Sequence, residues 1–299
     1  MSVINDIQTL KSRLNAVILV HNYQIGEVQE IADFIGDSLD LSRKAAATNA
    51  DVIVFCGVHF MAETAAILSP DKTVIMPDPD AGCPMADMIT AEELSEMKAA
   101  HPDAAVVTYV NSSAAVKAES DWCCTSANAV VVVAATGADK ILFTPDKYLG
   151  EYVRSLSPGK EFILWNGFCP THAKITAEHV SKKRAEHPDA KIIVHPECRP
   201  EVIAGADAVL STSGMVKFSR ETTAREIIVG TETGIIYRLR KENPGKEFYP
   251  LCEEAVCPNM KKTNLVKVLT AMNEMKNVIK VPADIAERAR RAIDRMLSV

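Results

Sequence analysis

Cys83, Cys169 and Cys257 are each followed by proline and recur at nearly equal intervals, 169 − 83 = 86 and 257 − 169 = 88. Each closes the same short phrase, which opens at Ser69-Pro70-Asp71-Lys72, Ser157-Pro158-Gly159-Lys160 and Asn243-Pro244-Gly245-Lys246. A period this long, repeated three times, marks a duplicated structural unit. Other landmarks keep the register. Thr90-Ala91-Glu92 and Thr176-Ala177-Glu178 each read as a helix N-terminus, and the helices they open close at His101-Pro102 and His187-Pro188. Asp37-Ser38, Thr125-Ser126 and Ser211-Thr212 fall in step, and Thr263 opens a fourth, truncated copy. The expected units are residues 1–89, 90–175 and 176–262, with 263–299 as a partial repeat and closing helix.

Each unit reads as helix and strand in alternation, with three strands ahead of its Cys-Pro. The β-branched runs Ala16 to Val20, Ala105 to Tyr109 and Lys191 to Val194 read as buried strands. Second strands begin near Ala50, Ala138 and Ala224. Val28, Ile31, Ala32 and Ile35 stand at helical spacing and predict one helix between the first two strands. The fold class is therefore α/β: three tandem-duplicated three-layer α/β/α units with parallel sheets around a pseudo-threefold axis. Ligands of such sheets gather beyond the carboxyl ends of the strands, where the polar clusters of this sequence fall. Ile285, Ala289, Ala292, Ile293 and Met296 predict an amphipathic helix at the end.

Bulk properties exclude several classes. A net charge of −6 gives no footprint for nucleic acid. The longest wholly apolar run, Ala129 to Ala135, is far short of the roughly 20 residues a membrane helix needs. The apolar stretch Ala16 to Val20 is too brief for a signal peptide, so a cytosolic location is expected. Eight cysteines in such a chain suggest reduced thiols serving metal or catalysis rather than a disulfide framework. Glycine-rich nucleotide loops are lacking.

The three Cys-Pro cysteines are either small buried apolar residues or one shared metal or iron–sulfur site with an open ligand position. Cys56, Cys123, Cys124, Cys198 and Cys252 lack partners in the other units and read as core. His21, Tyr23, Tyr109, His195 and Glu197 follow the first strand of their units. A shared axis would gather them, and imidazole, carboxylate and phenol suit acid–base work and oxyanion stabilisation. Ser38, Ser126 and Thr212 read as helix N-caps, as ligands for a small polyanion at helix N-termini, or as both.

These residues resemble the quinolinate synthase family. The likeness lies in His21-Asn22-Tyr23-Gln24, Ile31 to Ser38, Tyr109-Val110-Asn111-Ser112, Thr125 to Val130, His195-Pro196-Glu197-Cys198 and the three cysteines, and it runs from about His21 to Lys262. The resemblance implies a triangular α/β protein with an oxygen-sensitive [4Fe–4S] cluster on Cys83, Cys169 and Cys257. It implies condensation of iminoaspartate with dihydroxyacetone phosphate to quinolinate for NAD biosynthesis, with loss of phosphate and two waters. An aspartate-oxidising enzyme would supply the iminoaspartate. His21, Ser38, Asn111, Ser126 and Thr212 would hold carboxylates or phosphate, and His172 would stand near the cluster. Tyr23, Tyr109, His195 and Glu197 would serve the proton transfers and dehydrations. Phe168 departs from the family pattern, which carries histidine before the second cysteine. Other readings are a different iron–sulfur hydro-lyase on the same body, or a non-catalytic metal-binding regulator.

Overall fold

The structure, a computed structural model, describes residues 2–299. The first unit contains α1 (Val3–Arg13), β1 (Ala16–His21), α2 (Gly26–Glu30), β2 (Phe34–Gly36), α3 (Ser38–Ala47), β3 (Val52–Cys56), α4 (His59–Leu68) and β4 (Thr73–Ile75). The second contains α5 (Ala91–Ala100), β5 (Ala105–Tyr109), α6 (Ala114–Ala118), β6 (Trp122–Cys124), α7 (Ala129–Ala135), β7 (Lys140–Thr144), α8 (Lys147–Ser155) and β8 (Glu161–Leu164). The third contains α9 (Ala177–Glu186), β9 (Lys191–Val194), α10 (Pro200–Ala204), β10 (Ala208–Val209), α11 (Thr212–Glu221), β11 (Glu226–Gly230), α12 (Ile235–Glu242) and β12 (Glu247–Pro250). Then follow α13 (Leu265–Glu274) and α14 (Ala283–Leu297).

All three sheets are parallel and share one strand order: β2-β1-β3-β4, β6-β5-β7-β8 and β10-β9-β11-β12. The expected α/β architecture of three tandem units with flanking helices is what forms. Each unit has four strands where three were expected, because β2, β6 and β10 are only two or three residues long. The predicted helix through Ile35 is likewise corrected: α2 ends at Glu30 and the chain then enters β2. Val28 and Ile31 are buried in one outer core, with Ala32 and Ile35 packed against it, so their spacing marks a shared core and not one helix. The turn is fixed by Asp33, whose Oδ2 accepts the Ile18 N–H at 2.9 Å while its own N–H bonds back to Ile18. Asp121 and Asp207 repeat this clamp on Val106 and Ile192. The repeated lysines act as struts in the same way. Lys72 reaches the Ala50 carbonyl and Lys160 the equivalent Ala138 carbonyl.

Strand alternation divides the apolar side chains into one central core and three outer ones. Leu19, Ile53, Phe55, Val107, Phe143, Ile193 and Val229 face a core that all three units share. Ile18 and Val54, Val106 and Leu142, and Ile192 and Ile228 face separate outer cores. The outer core of the first unit is completed by Ile7 and Leu10 of α1 and by Val268, Ala271 and Met272 of α13. The closing helix forms as expected, burying Ala289, Ala292, Ile293 and Met296 against the second unit. Among the described residues no helix is long and apolar enough to cross a membrane.

Candidate active site

Every strand order reverses between the first and third strands of its unit, and the crevice this opens lies at the carboxyl ends of the strands. The three crevices meet in one cavity, about 690 Å³ between its walls out to the mouth. All thirteen candidate residues line it: His21, Tyr23, Ser38, Cys83, Tyr109, Asn111, Ser126, Cys169, His172, His195, Glu197, Thr212 and Cys257.

Glu197 is the hub. Tyr109 Oη donates to its Oε1 at 2.6 Å, and Asn111 Nδ2 stands 3.4 Å from the same oxygen. His172 Nδ1 lies 2.7 Å from Oε2, with His195 stacked on His172 at 4.9 Å between ring centres. Burial works to raise the Glu197 carboxyl, but the His172 and His195 rings and the bonds from His172 and Tyr109 outweigh it and hold it well below the usual range. His21 and His195 are pulled down to about 3, mainly because burial disfavours the imidazolium. Both are therefore neutral at pH 7 and can accept or donate a proton. Burial, then the Glu197 charge, pushes the Tyr23 and Tyr109 phenols well above 10, so both keep their protons.

The helix N-termini are arranged differently from expectation. Asp37 caps α3 and Ser211 caps α11, each accepting backbone N–H groups, while Asn128 precedes α7. Ser38 and Thr212 are thus the first helical residues and Ser126 precedes the helix, so none is the N-cap. Their hydroxyls are instead turned to side-chain partners or the cavity. Ser126 Oγ meets His195 Nε2 at 3.1 Å, and Thr212 Oγ1 accepts from Asn22 Nδ2 at 2.8 Å. Asn111 Oδ1 is buried without a partner.

Cys83, Cys169 and Cys257 are the three cysteines with accessible surface; the other five are buried, as the sequence suggested. Each stands three residues before a 3₁₀ turn, at Ala86–Met88, His172–Lys174 and Met260–Lys262. Backbone N–H groups of these turns point at Cys83 and Cys169 and favour their thiolates, against burial, which pushes Cys83 up to about 12. Cys169, His172 and Glu197 also bring ligand-type atoms within 4.8 Å of one another, so the cavity can hold a metal. A second such group is His179, Cys252 and Glu254. There, however, Nδ1 of His179 accepts the Thr176 N–H at 3.1 Å in a capping box, which leaves the proton on Nε2 and closes that nitrogen to a metal.

The match to known proteins follows this geometry along the whole chain. A family model described as quinolinate synthetase A protein matches residues 5–298. The chain belongs to the quinolinate synthetase A family. It is 56% identical over 296 residues to a quinolinate synthase of Thermodesulfovibrio yellowstonii, covering 99% of this chain and 98% of that one. A quinolinate synthase of Dehalococcoides mccartyi is 58% identical over 293 residues, covering 98% and 97%. One from Methanosarcina barkeri is 54% identical over 297 residues, covering 99% and 97%.

In this quinolinate synthetase A chain the sequence reading missed the residues after the third strand of each unit. Val58, Asp146 and Glu232 occupy equivalent places, separated by 88 and 86. Glu232 is wholly buried, pairs with Lys261 at 2.9 Å and accepts the Cys257 N–H at 3.0 Å, which fixes the third cysteine loop. Asp146 accepts the Leu149 N–H and caps α8, and burial together with the Glu197 charge pushes its carboxyl well up. The repeat register could have found both. Gly234 permits a close backbone approach beside the site, for a Cβ there would lie 2.5 Å from the Tyr23 carbonyl oxygen.

Proposed function

We propose that this chain condenses iminoaspartate with dihydroxyacetone phosphate to quinolinate, losing phosphate and two waters, as a step of NAD biosynthesis. The observation that carries the reading is that one cysteine from each unit opens onto the cavity that also holds the Glu197 network. The cysteines suit a [4Fe–4S] cluster better than one ion. A tetrahedral zinc with bonds of about 2.3 Å would hold its sulfurs roughly 3.8 Å apart. Among the described residues, the ligand groups gathered within 4.8 Å do not include the three cysteines together. A wider triangle suits a cluster in which each thiolate has its own iron. Bound there, the cluster would supply a Lewis-acidic iron without a protein ligand.

The chain's own residues would bind and shuttle protons. The N-termini of α3 and α11, with Ser38 and Thr212, offer free N–H groups and positive dipole to carboxylate or phosphate. Asn111, with its unpartnered Oδ1, would accept from a substrate N–H or O–H. Glu197, ionised and held between His172 and Tyr109, is placed to take a proton, and the neutral phenols of Tyr23 and Tyr109 to give one. Neutral His21 and His195 would bind an anionic reactant without ionising first. The buried walls keep bulk water from the imine. An enzyme that oxidises aspartate would provide the short-lived iminoaspartate, and neither nucleic acid nor a membrane is needed. The site serves a protein of the cytosol.

The test is an anaerobic assay of cluster-reconstituted protein with dihydroxyacetone phosphate and iminoaspartate generated in situ. Pyridine product at a rate above the cluster-free control is expected. Iron-loaded protein that makes none, yet dehydrates simple hydroxy acids, would move it to another hydro-lyase class.

A further inference from the structure

Two side chains outside the cavity lining decide how a third one inside it behaves. Thr212 opens α11 and lines the cavity, and its Oγ1 accepts from Asn22 Nδ2 at 2.8 Å. Asn22 stands just beyond β1 and is wholly buried. Its Oδ1 accepts from Arg238 Nη1 of α12 at 2.8 Å. The other hydrogen of Nη1 goes to the Ile35 carbonyl at 2.9 Å, and Nε donates to Glu242 at 2.7 Å. Residues of the first and third units thus form one chain, Arg238 to Asn22 to Thr212, that ends at the cavity. The positions equivalent to Asn22 are Val110 and Pro196 (110 − 22 = 88, 196 − 110 = 86), and neither carries a side-chain amide. The chain is therefore not a by-product of the repeat.

We infer that Arg238 is a positioning residue which, through Asn22, fixes Thr212 as a hydrogen-bond donor to an oxyanion of the reactant. The inference rests on the proposed function for the identity of that reactant, and it deepens that reading with two residues outside the cavity lining. A guanidinium has donors and no acceptor. It therefore holds Asn22 with the carbonyl oxygen toward α12, which leaves the amide nitrogen toward Thr212. An amide nitrogen only donates, so Thr212 Oγ1 has to accept there. A hydroxyl has a single hydrogen, and among the described residues Thr212 Oγ1 has no other partner, so that hydrogen is left for the cavity. A carboxylate or phosphate oxygen takes it best, because bonds to an ionised acceptor are the strong ones. Were the Asn22 amide turned over, its oxygen would claim the hydrogen, and the hydroxyl would meet the same oxyanion with lone pairs only. The direction of a bond on the outer helix α12 thus sets the direction of one at the reactant. Ser126, the counterpart in the second unit, faces His195 Nε2, which can donate or accept and imposes no direction.

The test is Asn22→Asp, which keeps the shape and the Arg238 contact but presents an oxygen to Thr212 and so captures its hydrogen. On cluster-reconstituted protein, the dissociation constants of inorganic phosphate and of succinate are read by titration calorimetry. At least one is expected to rise about tenfold or more in Asn22→Asp, as for the loss of a bond to a charged group. A rise for phosphate alone marks the phosphate of the reactant as the bound group, and a rise for succinate alone marks a carboxylate. A cycle with Thr212→Val, which deletes the hydroxyl, separates the lost donor from the added charge. Thr212→Val alone should weaken binding by a similar factor, and adding Asn22→Asp to it should cost less than about twofold more. Arg238→Met, which keeps the stem, should weaken the same probe severalfold, and Arg238→Lys, which returns a donor, should recover part of that loss. A mere clamp between units would lower stability in urea and leave these constants alone. Unchanged constants in either Asn22→Asp or Arg238→Met, a full effect of Asn22→Asp on the Thr212→Val background, or a wild type that binds neither probe overturns the inference. A wild type that shows the expected pattern yet makes no pyridine refutes the proposed reaction and leaves the assignment of Arg238 standing.

Discussion

Tyr109 and Glu197 lie 88 residues apart in sequence and meet at 2.6 Å, Tyr109 as the last residue of the first strand of its sheet and Glu197 just beyond the first strand of its own. The bond joins two units across the cavity and satisfies a buried phenol and a buried carboxylate together. In Tyr109→Phe, Glu197 Oε1 would keep only the long contact to Asn111. A lost bond to a charged group costs about 1.5–3 kcal/mol. Urea unfolding should show a loss of that size, with kcat reduced at least tenfold. Unchanged stability would mean that the bond does not form in solution.

The buried histidines predict acid sensitivity. His21 and His195 titrate near 3 in the folded chain and at 6.5 when unfolded, so the unfolded chain binds more protons below 6.5. Their stabilisation is complete above that pH and is lost as pH falls toward 3. Asp37 and Asp146, whose carboxyls burial pushes up, act in the opposite sense, so the informative quantity is a difference. Between pH 6 and 5, His21→Asn should shed about 1.4 kcal/mol per pH unit of the wild-type slope. Equal slopes would show that His21 is not buried as a neutral ring.

The cysteines should separate into two groups. Any of Cys83→Ser, Cys169→Ser or Cys257→Ser should abolish bound iron after anaerobic reconstitution and the broad absorbance near ~400 nm. Cys123→Ala and Cys198→Ala remove wholly buried thiols, and should keep iron at wild-type stoichiometry while losing about 1 kcal/mol or more of stability. Iron retained in the first group, or lost in the second, would place the cluster elsewhere.

At Gly234 a methyl group would strike the Tyr23 carbonyl and the Lys261 ammonium, both within 2.6 Å. Gly234→Ala should destabilise by about 1–3 kcal/mol, as overpacking does. It should also reduce activity, because the backbone it displaces carries Tyr23. Thermal unfolding and kcat measured on the same sample would check this, and a stable, fully active variant would contradict the close approach.

The period of 86 to 88 residues made the three-unit body legible, because duplicated positions checked one another. Short edge strands escaped because two or three residues carry no alternation, and Val28 to Ile35 mimicked a helical face while facing one outer core from two elements. The polar cavity residues after the first strands were legible because such groups at parallel strand ends have one place to go, the three cysteines because of their shared period, and His172 only through the family resemblance. Asp146 and Glu232 were missed because neither has a twin of the same type in the first unit, where Val58 stands, so that only the shared register links them. The capping roles of Asp37 and Ser211 shifted by one residue from Ser38 and Thr212, a difference that only backbone geometry decides.

The outer core of the first sheet is finished by α13, which begins at Leu265, 265 − 75 = 190 residues after β4 ends. During synthesis the amino-terminal sheet therefore emerges from the ribosome long before its cover exists. Val52, Val54 and Ile75 wait with one flank bare until nearly the whole polypeptide has been made. Maturation of this protein is in that sense a closing of its two ends upon each other, and a nascent chain halted before α13 should be the form that chaperones hold.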